Sequence, residues 1–419
     1  MKPVLHVEVV QKKQSNVLQT TLHNYVLAGM EARKILSPGT TLTNLSNELL
    51  SDHVESIHIC EYNNEGELLS LNVEDLELRI HIFKLDDEGV QLECIDSGDG
   101  DGHEVSAAQH WVLPSRDFNG LWENLIYESN IKENLLQYME TTLLFSDRNV
   151  SPHVITWNRV ILLHGPPGTG KTSLCKALAH KLAIRLSKRY SCGQLLEVNS
   201  HSLFSKWFSE SGKLVMRMFS KVKDLVENPN ALVIVLIDEV ESLTHSRSSS
   251  GGVEPSDAIR TVNAVLTQID ELKKYPNVLI MATSNVTDAI DLAFVDRADI
   301  KQYIGPPPVK GIYKILSSCV AELSKANIIT PKEEIHTFDG IVQVQAKNGE
   351  DVPAFKNSLQ LLDISRQCEG LNGRTLRKLP YLAHALYVQK PAATLEEFLA
   401  ALQKVVIQHK SEMSELKSK

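Results

Sequence analysis

The stretch NRVILLHGPPGTGKTSLCKALAHKL, residues 158–182, decides the fold. Four aliphatic residues, Val160 to Leu163, read as a buried strand that delivers a glycine-rich turn, and Ser173 to Leu182 reads as the helix that follows. A phosphate-binding loop needs that order, because backbone N–H groups must converge on phosphate oxygens at a helix N-terminus, where the helix dipole favours an anion. Gly165, Gly168 and Gly170 let the backbone close in without Cβ clashes, and Pro166, Pro167, Thr169 and Ser173 complete the loop. Lys171 is placed to reach the β- and γ-phosphates of ATP, and the Thr172 hydroxyl to ligate Mg2+.

A second apolar run, LVIVLIDE at 232–239, supports the same reading. It shows no polar alternation, as expected of a parallel strand covered by helices on both faces, so its terminal carboxylates emerge at the ligand edge of the sheet. Asp238 is expected to hold Mg2+ through its waters, and Glu239 to orient and deprotonate the attacking water. An isolated Asp-Glu pair after a strand also serves simply to cap the next helix; the two elements together favour catalysis. Asn285 ends the strand NVLIMATSN, which should lie beside both phosphate-handling strands, so its amide can reach the γ-phosphate or the water. Arg297, in AFVDRADIKQYIG, is poorly placed for its own nucleotide and reads as an arginine finger acting on a neighbouring subunit. The plain alternative is a surface ion pair with Asp296 or Asp299. Arg374, in GLNGRTLRKLP, starts a helix that can swing onto the γ-phosphate, with Arg377 and Lys378 as competitors or as a solvated basic face.

At 419 residues the chain has room for about three domains of roughly 150 residues each. A net charge of −9 argues against a nucleic-acid surface as its main business, since phosphate neutralisation needs clustered Lys and Arg. Six cysteines, at 60, 94, 175, 192, 319 and 368, form no C-x-x-C pair, which fits a reducing compartment. The opening MKPVLHVEVVQKKQ lacks the apolar core of a secretory signal, and no apolar stretch approaches the roughly 20 residues of a membrane span. The expectation is a soluble intracellular protein.

Short β-like runs, PVLHVEVV, SIHICEY, LSLNVEDLELRIHIFKL and VQLECI, suggest an N-terminal α+β module at 1–100. The acidic, glycine-rich DSGDGDGH at 96–103 reads as the natural linker, with the linker region drawn at 101–113; the segment does not complete a calcium loop, because Glu104 stands where a tight-turn glycine belongs. Residues 114–308 alternate apolar strands with helical patterns and predict a doubly wound parallel α/β sheet, the large ATPase subdomain. Residues 309–419 carry four helical patterns, the last opening with a capping box from Thr394 to Glu397, and predict a small helical lid. Between the phosphate-handling strands, Trp207 and Phe208 sit amid Ser, Lys and Glu with no apolar periodicity to bury them. An exposed aromatic pair implies a contact, and in a ring it would line the central channel and grip an extended polypeptide. HSRSSSGGVEPS, 245–256, would form a second channel loop.

Over these stretches, together with NSHSLFSKWFSESGKLV, VLIDEVESLT, EPSDAIRTVNAVLTQID and GLNGRTLRKLPYLAHALYV, the chain resembles the P-loop AAA+ ATPases. Within them it resembles the pachytene checkpoint protein 2 homologs, which remodel HORMA-domain proteins. The resemblance is specific over about 115–390 and covers the first hundred residues only by size and position. It implies a homohexamer that uses ATP and Mg2+ to pull a HORMA protein through a central pore, converting its closed, partner-bound form to the open one. It further implies an N-terminal module that receives substrate, often through a HORMA adaptor, with no direct nucleic acid or membrane partner. The implied setting is the nucleus and chromosomes, at meiotic axes and kinetochores, and the cytoplasm, in synapsis and spindle checkpoint control. By the same resemblance Lys171 and Thr172 bind nucleotide, Asp238 and Glu239 handle Mg2+ and water, Asn285 and Arg374 sense the γ-phosphate, and Trp207 with Phe208 engages substrate. One departure is that the second of the two finger arginines of many related unfoldases corresponds to Ile300, leaving Arg297 alone in that contact.

Overall fold

Alternation along Val4–Gln11 (β1) buries Leu5, Val7 and Val9 on one side of a sheet and turns His6, Glu8 and Val10 to the other. The computed structural model describes residues 2–60, 71–96, 104–127, 130–199, 211–242, 255–286, 290–346 and 355–417; Trp207, Phe208 and most of the expected second channel loop lie outside them. After β1 come Ile35–Leu36 (β2), Thr41–Leu42 (β3), Val54–Ile59 (β4), Leu71–Asn72 (β5) and Glu77–Phe83 (β6). Four of these form a sheet in the order β3-β4-β1-β6, with β1 antiparallel to β4 and parallel to β6. The helix Gln19–Arg33 lays Leu22, Val26 and Met30 on its apolar face, giving the module its own core.

The opposite face meets the helix Lys171–Arg185. Val10 and Phe83, with Leu85, close on Ile184. Beside them the Lys181 ammonium lies 2.6 Å from Glu8 Oε2 and 3.0 Å from Glu123 Oε1, and His58 Nε2 lies 3.3 Å from that Glu123 oxygen. Burial alone would raise the Glu8 carboxyl and lower the Lys181 ammonium, but their mutual attraction outweighs it: Glu8 is held below the usual carboxylate range and Lys181 above the usual lysine range. Removing one partner of such a pair costs about 3–5 kcal/mol, because the other charge is left buried. The N-terminal module is thus keyed to the helix whose first residues are Lys171 and Thr172.

Three histidines at this junction set an acid limit. His6 and His81 stack at 5.2 Å, and burial, reinforced by nearby cations such as Arg185, lowers them to about 3 and about 4. Burial lowers His180 to about 4. A folded value below the unfolded one favours the neutral ring in the fold, so the stabilisation is fully present above about pH 6.5 and is lost as pH falls toward 4. Each ring then costs about 1.4 kcal/mol per pH unit in that window. Thermal unfolding is expected to be flat above neutrality and to drop steeply below pH 6.5; a melting temperature constant from pH 6.5 to 4.5 would contradict the burial of these neutral rings.

The remaining strands, Gln91–Asp96 (β7), Glu104–Leu113 (β8), Val160–His164 (β9), Cys192–Asn199 (β10), Ala231–Asp238 (β11), Val278–Ser284 (β12) and Ile300–Tyr303 (β13), form a seven-stranded sheet in the order β13-β9-β12-β11-β10-β8-β7. Strands β9, β12, β11 and β10 run parallel, and every residue of Ala231–Ile237 is buried, as a strand covered on both faces requires. The helices Ser211–Val226 and Pro255–Leu272 pack Val215, Phe219, Val262 and Ile269 against one face. Residues 104–113, read from sequence as linker, are instead β8, antiparallel to β10 from Gly193↔Leu113 to Val198↔Ala108. Ala108, His110, Trp111 and Leu113 are all buried, so both faces are covered and the period-2 signal that marks a half-exposed strand is absent. Strand β7, read as part of the N-terminal module, pairs with β8 and so extends this sheet.

By contact density the chain divides into two units, the first built of Met1–Glu123, Lys132–His164 and Thr172–Gln302, the second of Asn124–Ile131, Gly165–Lys171 and Tyr303–Lys419. In the second, the helices Val309–Lys325, Lys356–Gln367, Gly373–Ala383 and Leu395–Lys417 bury Ile312, Leu316, Leu361, Leu376, Leu379, Phe398 and Leu402. The capping box is formed reciprocally: Glu397 N donates to Thr394 Oγ1, and Thr394 N to Glu397 Oε2, each at 3.2 Å. The pattern TLRKLPYLAHALYV is not one uniform helix. Pro380 lies inside Gly373–Ala383, and a π-helical turn follows at His384–Val388. A further helix, Phe338–Ala346, was not evident in the sequence, being only nine residues long with valines among glutamines.

Candidate functional site

The strand order places β12 between β9 and β11, so the strand ending near Asn285 lies next to both the phosphate-loop strand and the carboxylate strand. Asp238 closes β11, half-buried, and the Thr172 hydroxyl at the start of the helix Lys171–Arg185 donates to its Oδ1 at 2.8 Å. Glu239 takes φ +56°, a left-handed conformation costing a non-glycine residue roughly 1 kcal/mol or more. Backbone hydrogen bonds hold it there: Glu239 N donates to Thr283 Oγ1 at 3.1 Å and Val240 N to Thr283 O at 2.9 Å. The turn throws the Glu239 carboxylate out to an exposed position, where Asn285 Nδ2 donates to its Oε1 at 3.1 Å. Asn285 N in turn donates to Glu241 Oε1 at 2.9 Å. One hydroxyl–carboxylate pair and one amide–carboxylate pair therefore stand at the end of the sheet.

In the second unit, the loop Gly165–Lys171 follows β9 with Gly165, Gly168 and Gly170 at φ +139°, +77° and +92°. A Cβ at Gly165 would lie 2.3 Å from the backbone oxygen of Ile304, which excludes a side chain there, and at Gly170 the left-handed backbone strains any other residue, with the Tyr127 hydroxyl 2.9 Å from where a Cβ would stand. Thr169 Oγ1 donates to Pro166 O at 3.0 Å, and the buried Lys171 ammonium donates to Gly165 O and Pro166 O, both at 2.8 Å. The N-terminus of Gly373–Ala383 abuts this turn. Asn372 caps that helix by accepting from Thr375 N at 2.8 Å, while its Nδ2 donates to Pro167 O at 3.1 Å and Arg374 N donates to Gly168 O at 3.1 Å. The Arg374 guanidinium itself is exposed, and of its competitors Arg377 is spent on the Asn124 carbonyl.

Arg297 closes a six-residue helix, Leu292–Arg297, capped by the Asp291 carboxylate. Its guanidinium grips Asp270, with Nε 3.1 Å from both carboxylate oxygens and Nη2 2.8 Å from Oδ2, while Nη1 donates to Ala293 O. The ion pair is not with Asp296 or Asp299. Asp299 instead accepts from Tyr138 Oη at 2.6 Å and from Asn158 N at 2.8 Å.

The donor set suits a nucleotide-bound Mg2+. That ion is commonly held by one or two protein oxygens with the remaining positions given to phosphates and water, and the Thr172 hydroxyl and Asp238 carboxylate supply such a pair. Among the described residues no group of three or more His, Cys, Asp or Glu could hold a metal unaided. The sequence reading missed Thr283, Asn372 and Asp270. A lone hydroxyl residue in the otherwise apolar run VLIMAT signals a needed hydrogen bond, and Asn-Gly-Arg-Thr signals a helix cap; Asp270 gives no local signal.

Three family models match: the TRIP13 N-terminal domain over residues 1–88, the ATPase family associated with various cellular activities (AAA) over 161–306, and the TRIP13-like AAA+ ATPase lid C-terminal domain over 308–410. The chain is 52% identical to the pachytene checkpoint protein 2 homolog of Gallus gallus over 404 residues, covering 96% of this chain and 92% of that one. The Homo sapiens homolog is 51% identical over 402 residues, with the same coverages of 96% and 92%. The solved structure of C. elegans PCH-2 superposes with a TM-score of 0.76 at 34% identity, covering 98% of this chain and 100% of that chain. A chain of the E. coli MS115-1 HORMA:CdnC:Trip13 complex shares the fold, with a TM-score of 0.53 at 17% identity, over 70% of this chain and 94% of that chain. With about half its residues shared over nearly its full length, the chain belongs to the pachytene checkpoint protein 2 homologs, ATPases of the AAA+ class.

Proposed function

We propose that this ATPase remodels HORMA-domain proteins, assembling as a homohexamer that draws the substrate into a central pore and converts its closed form to the open one. The family membership, and the HORMA protein that accompanies the fold relative in its E. coli complex, support the substrate class. The observation that carries the catalytic part is the pairing at the sheet edge, Thr172 with Asp238 and Asn285 with Glu239. Gly165 to Ser173 would cradle the phosphates, with Pro166, Pro167 and Thr169 shaping the turn and Lys171 neutralising charge. Thr172 and Asp238 would hold Mg2+, which when bound offsets charge on the β- and γ-phosphates. Glu239 would accept the proton of the attacking water, oriented with Asn285, while Arg374 would report the γ-phosphate to the lid. Arg297 would serve the neighbouring site, and Trp207 with Phe208 would grip substrate. Meiotic chromosome axes and the spindle checkpoint, in the nucleus and cytoplasm, are the setting this reading carries, with a HORMA-like adaptor at the N-terminal module.

The test uses the full chain with ATP, Mg2+ and a closed HORMA-domain protein whose bound peptide is fluorescent, with and without an adaptor, and DNA as a control stimulant. The expected result is ATP-dependent peptide release with accelerated hydrolysis, and a sixfold mass by light scattering in ATP. Hydrolysis stimulated by DNA, with the peptide retained, would overturn the substrate class; a persistent monomer would overturn the ring.

A further inference from the structure

We infer that Thr283 is a positioning residue for hydrolysis, a single hydroxyl that sets both acidic residues at once. Its side chain is 1% exposed and sits on β12, whose neighbours are β9 and β11. The Thr283 Oγ1 proton goes to Asp238 Oδ1, the oxygen that also accepts from Thr172. A lone pair of the same Oγ1 accepts the Glu239 N–H at 3.1 Å. The donor side thus fixes the rotation of the Asp238 carboxylate, and the acceptor side offsets the cost of the left-handed backbone that carries Glu239 outward at φ +56°. Both functions need the hydroxyl, which serine also carries; the β-branch adds the χ1 stiffness and strand preference that hold it in a buried strand.

Valine at this position keeps the shape and strand preference but leaves the Glu239 N–H without its acceptor and Asp238 without one of its donors. The cost falls on geometry at the reacting water, where a displacement of about 1 Å can lower a rate by about 10²-fold. This inference rests on the catalytic roles assigned to Asp238 and Glu239, and the experiment separates the two. Steady-state and single-turnover ATP hydrolysis, nucleotide affinity and melting temperature are measured for Thr283→Val, Thr283→Ser, Thr283→Ala and Glu239→Gln in the full chain. Thr283→Val is expected to lower kcat about 10- to 100-fold with the affinity for ATP changed less than about threefold, and Thr283→Ser to recover most of the rate. Wild-type turnover by Thr283→Val beside an inactive Glu239→Gln overturns the positioning role alone, whereas rapid hydrolysis by Glu239→Gln overturns the reading beneath it. If Thr283→Val does not fold, serine and alanine decide the matter: equal rates for the two remove the hydroxyl from the mechanism.

Discussion

Glu239→Gln is expected to lower kcat for ATP hydrolysis by about 10²- to 10⁴-fold while nucleotide binding persists. Glutamine keeps the length and planarity of the side chain, and its amide oxygen can still accept from Asn285 Nδ2, the contact that orients the carboxylate at 3.1 Å. Nothing in the backbone turn depends on the carboxylate, since the φ of +56° is held through Glu239 N and Val240 N by Thr283. What disappears is the basic oxygen. The variant should therefore bind a fluorescent ATP analogue with near wild-type affinity, melt at the wild-type temperature and release almost no phosphate. Unimpaired turnover would remove Glu239 from the proton transfer; lost nucleotide binding would make its role structural.

The parts of this molecule that were legible in the sequence are those in which local chemistry and fold demand the same residues. A glycine at Gly165 is required by a Cβ clash with Ile304 O, and the same glycine spells the motif. The apolar run of β11 is both the buried strand and the approach to Asp238. Strand β8 stayed hidden because burial of Trp111 and His110 on opposite faces erases alternation, and because its partner β10 lies about eighty residues onward. Thr283 and Asp270 stayed hidden for a related reason: each matters only through a partner brought in by tertiary packing, at Asp238 and at Arg297. The ionic key between Glu8 and Lys181 joins residues 173 positions apart, and neither has a neighbour in sequence that announces the other.

Arg297→Ala carries the largest expected loss, about 10³- to 10⁵-fold in hydrolysis, if the guanidinium completes a neighbouring subunit's site. Within its own subunit that guanidinium is held by Asp270 through three hydrogen bonds, so it must exchange one anion for another to act in trans. Burial works against ionisation of Asp270, yet the bonds from Arg297 and Lys273 draw its carboxyl below the usual range, so the pair stays charged. A purely structural ion pair at this partly exposed position would contribute only about 1 kcal/mol, and its loss would lower the melting temperature with little effect on rate. Asp270→Asn separates these cases, because it loosens the intramolecular partner and leaves the arginine; hydrolysis within about tenfold of wild type is expected, against the collapse in Arg297→Ala. Mixing supplies the decisive reading. Arg297→Ala subunits keep their own Glu239, and Glu239→Gln subunits keep their own Arg297, so in the proposed ring a mixture would contain sites where an intact carboxylate faces an intact guanidinium. Such mixtures are expected to hydrolyse ATP faster than either variant alone, and a mixture as inactive as its components would place Arg297 outside the shared site.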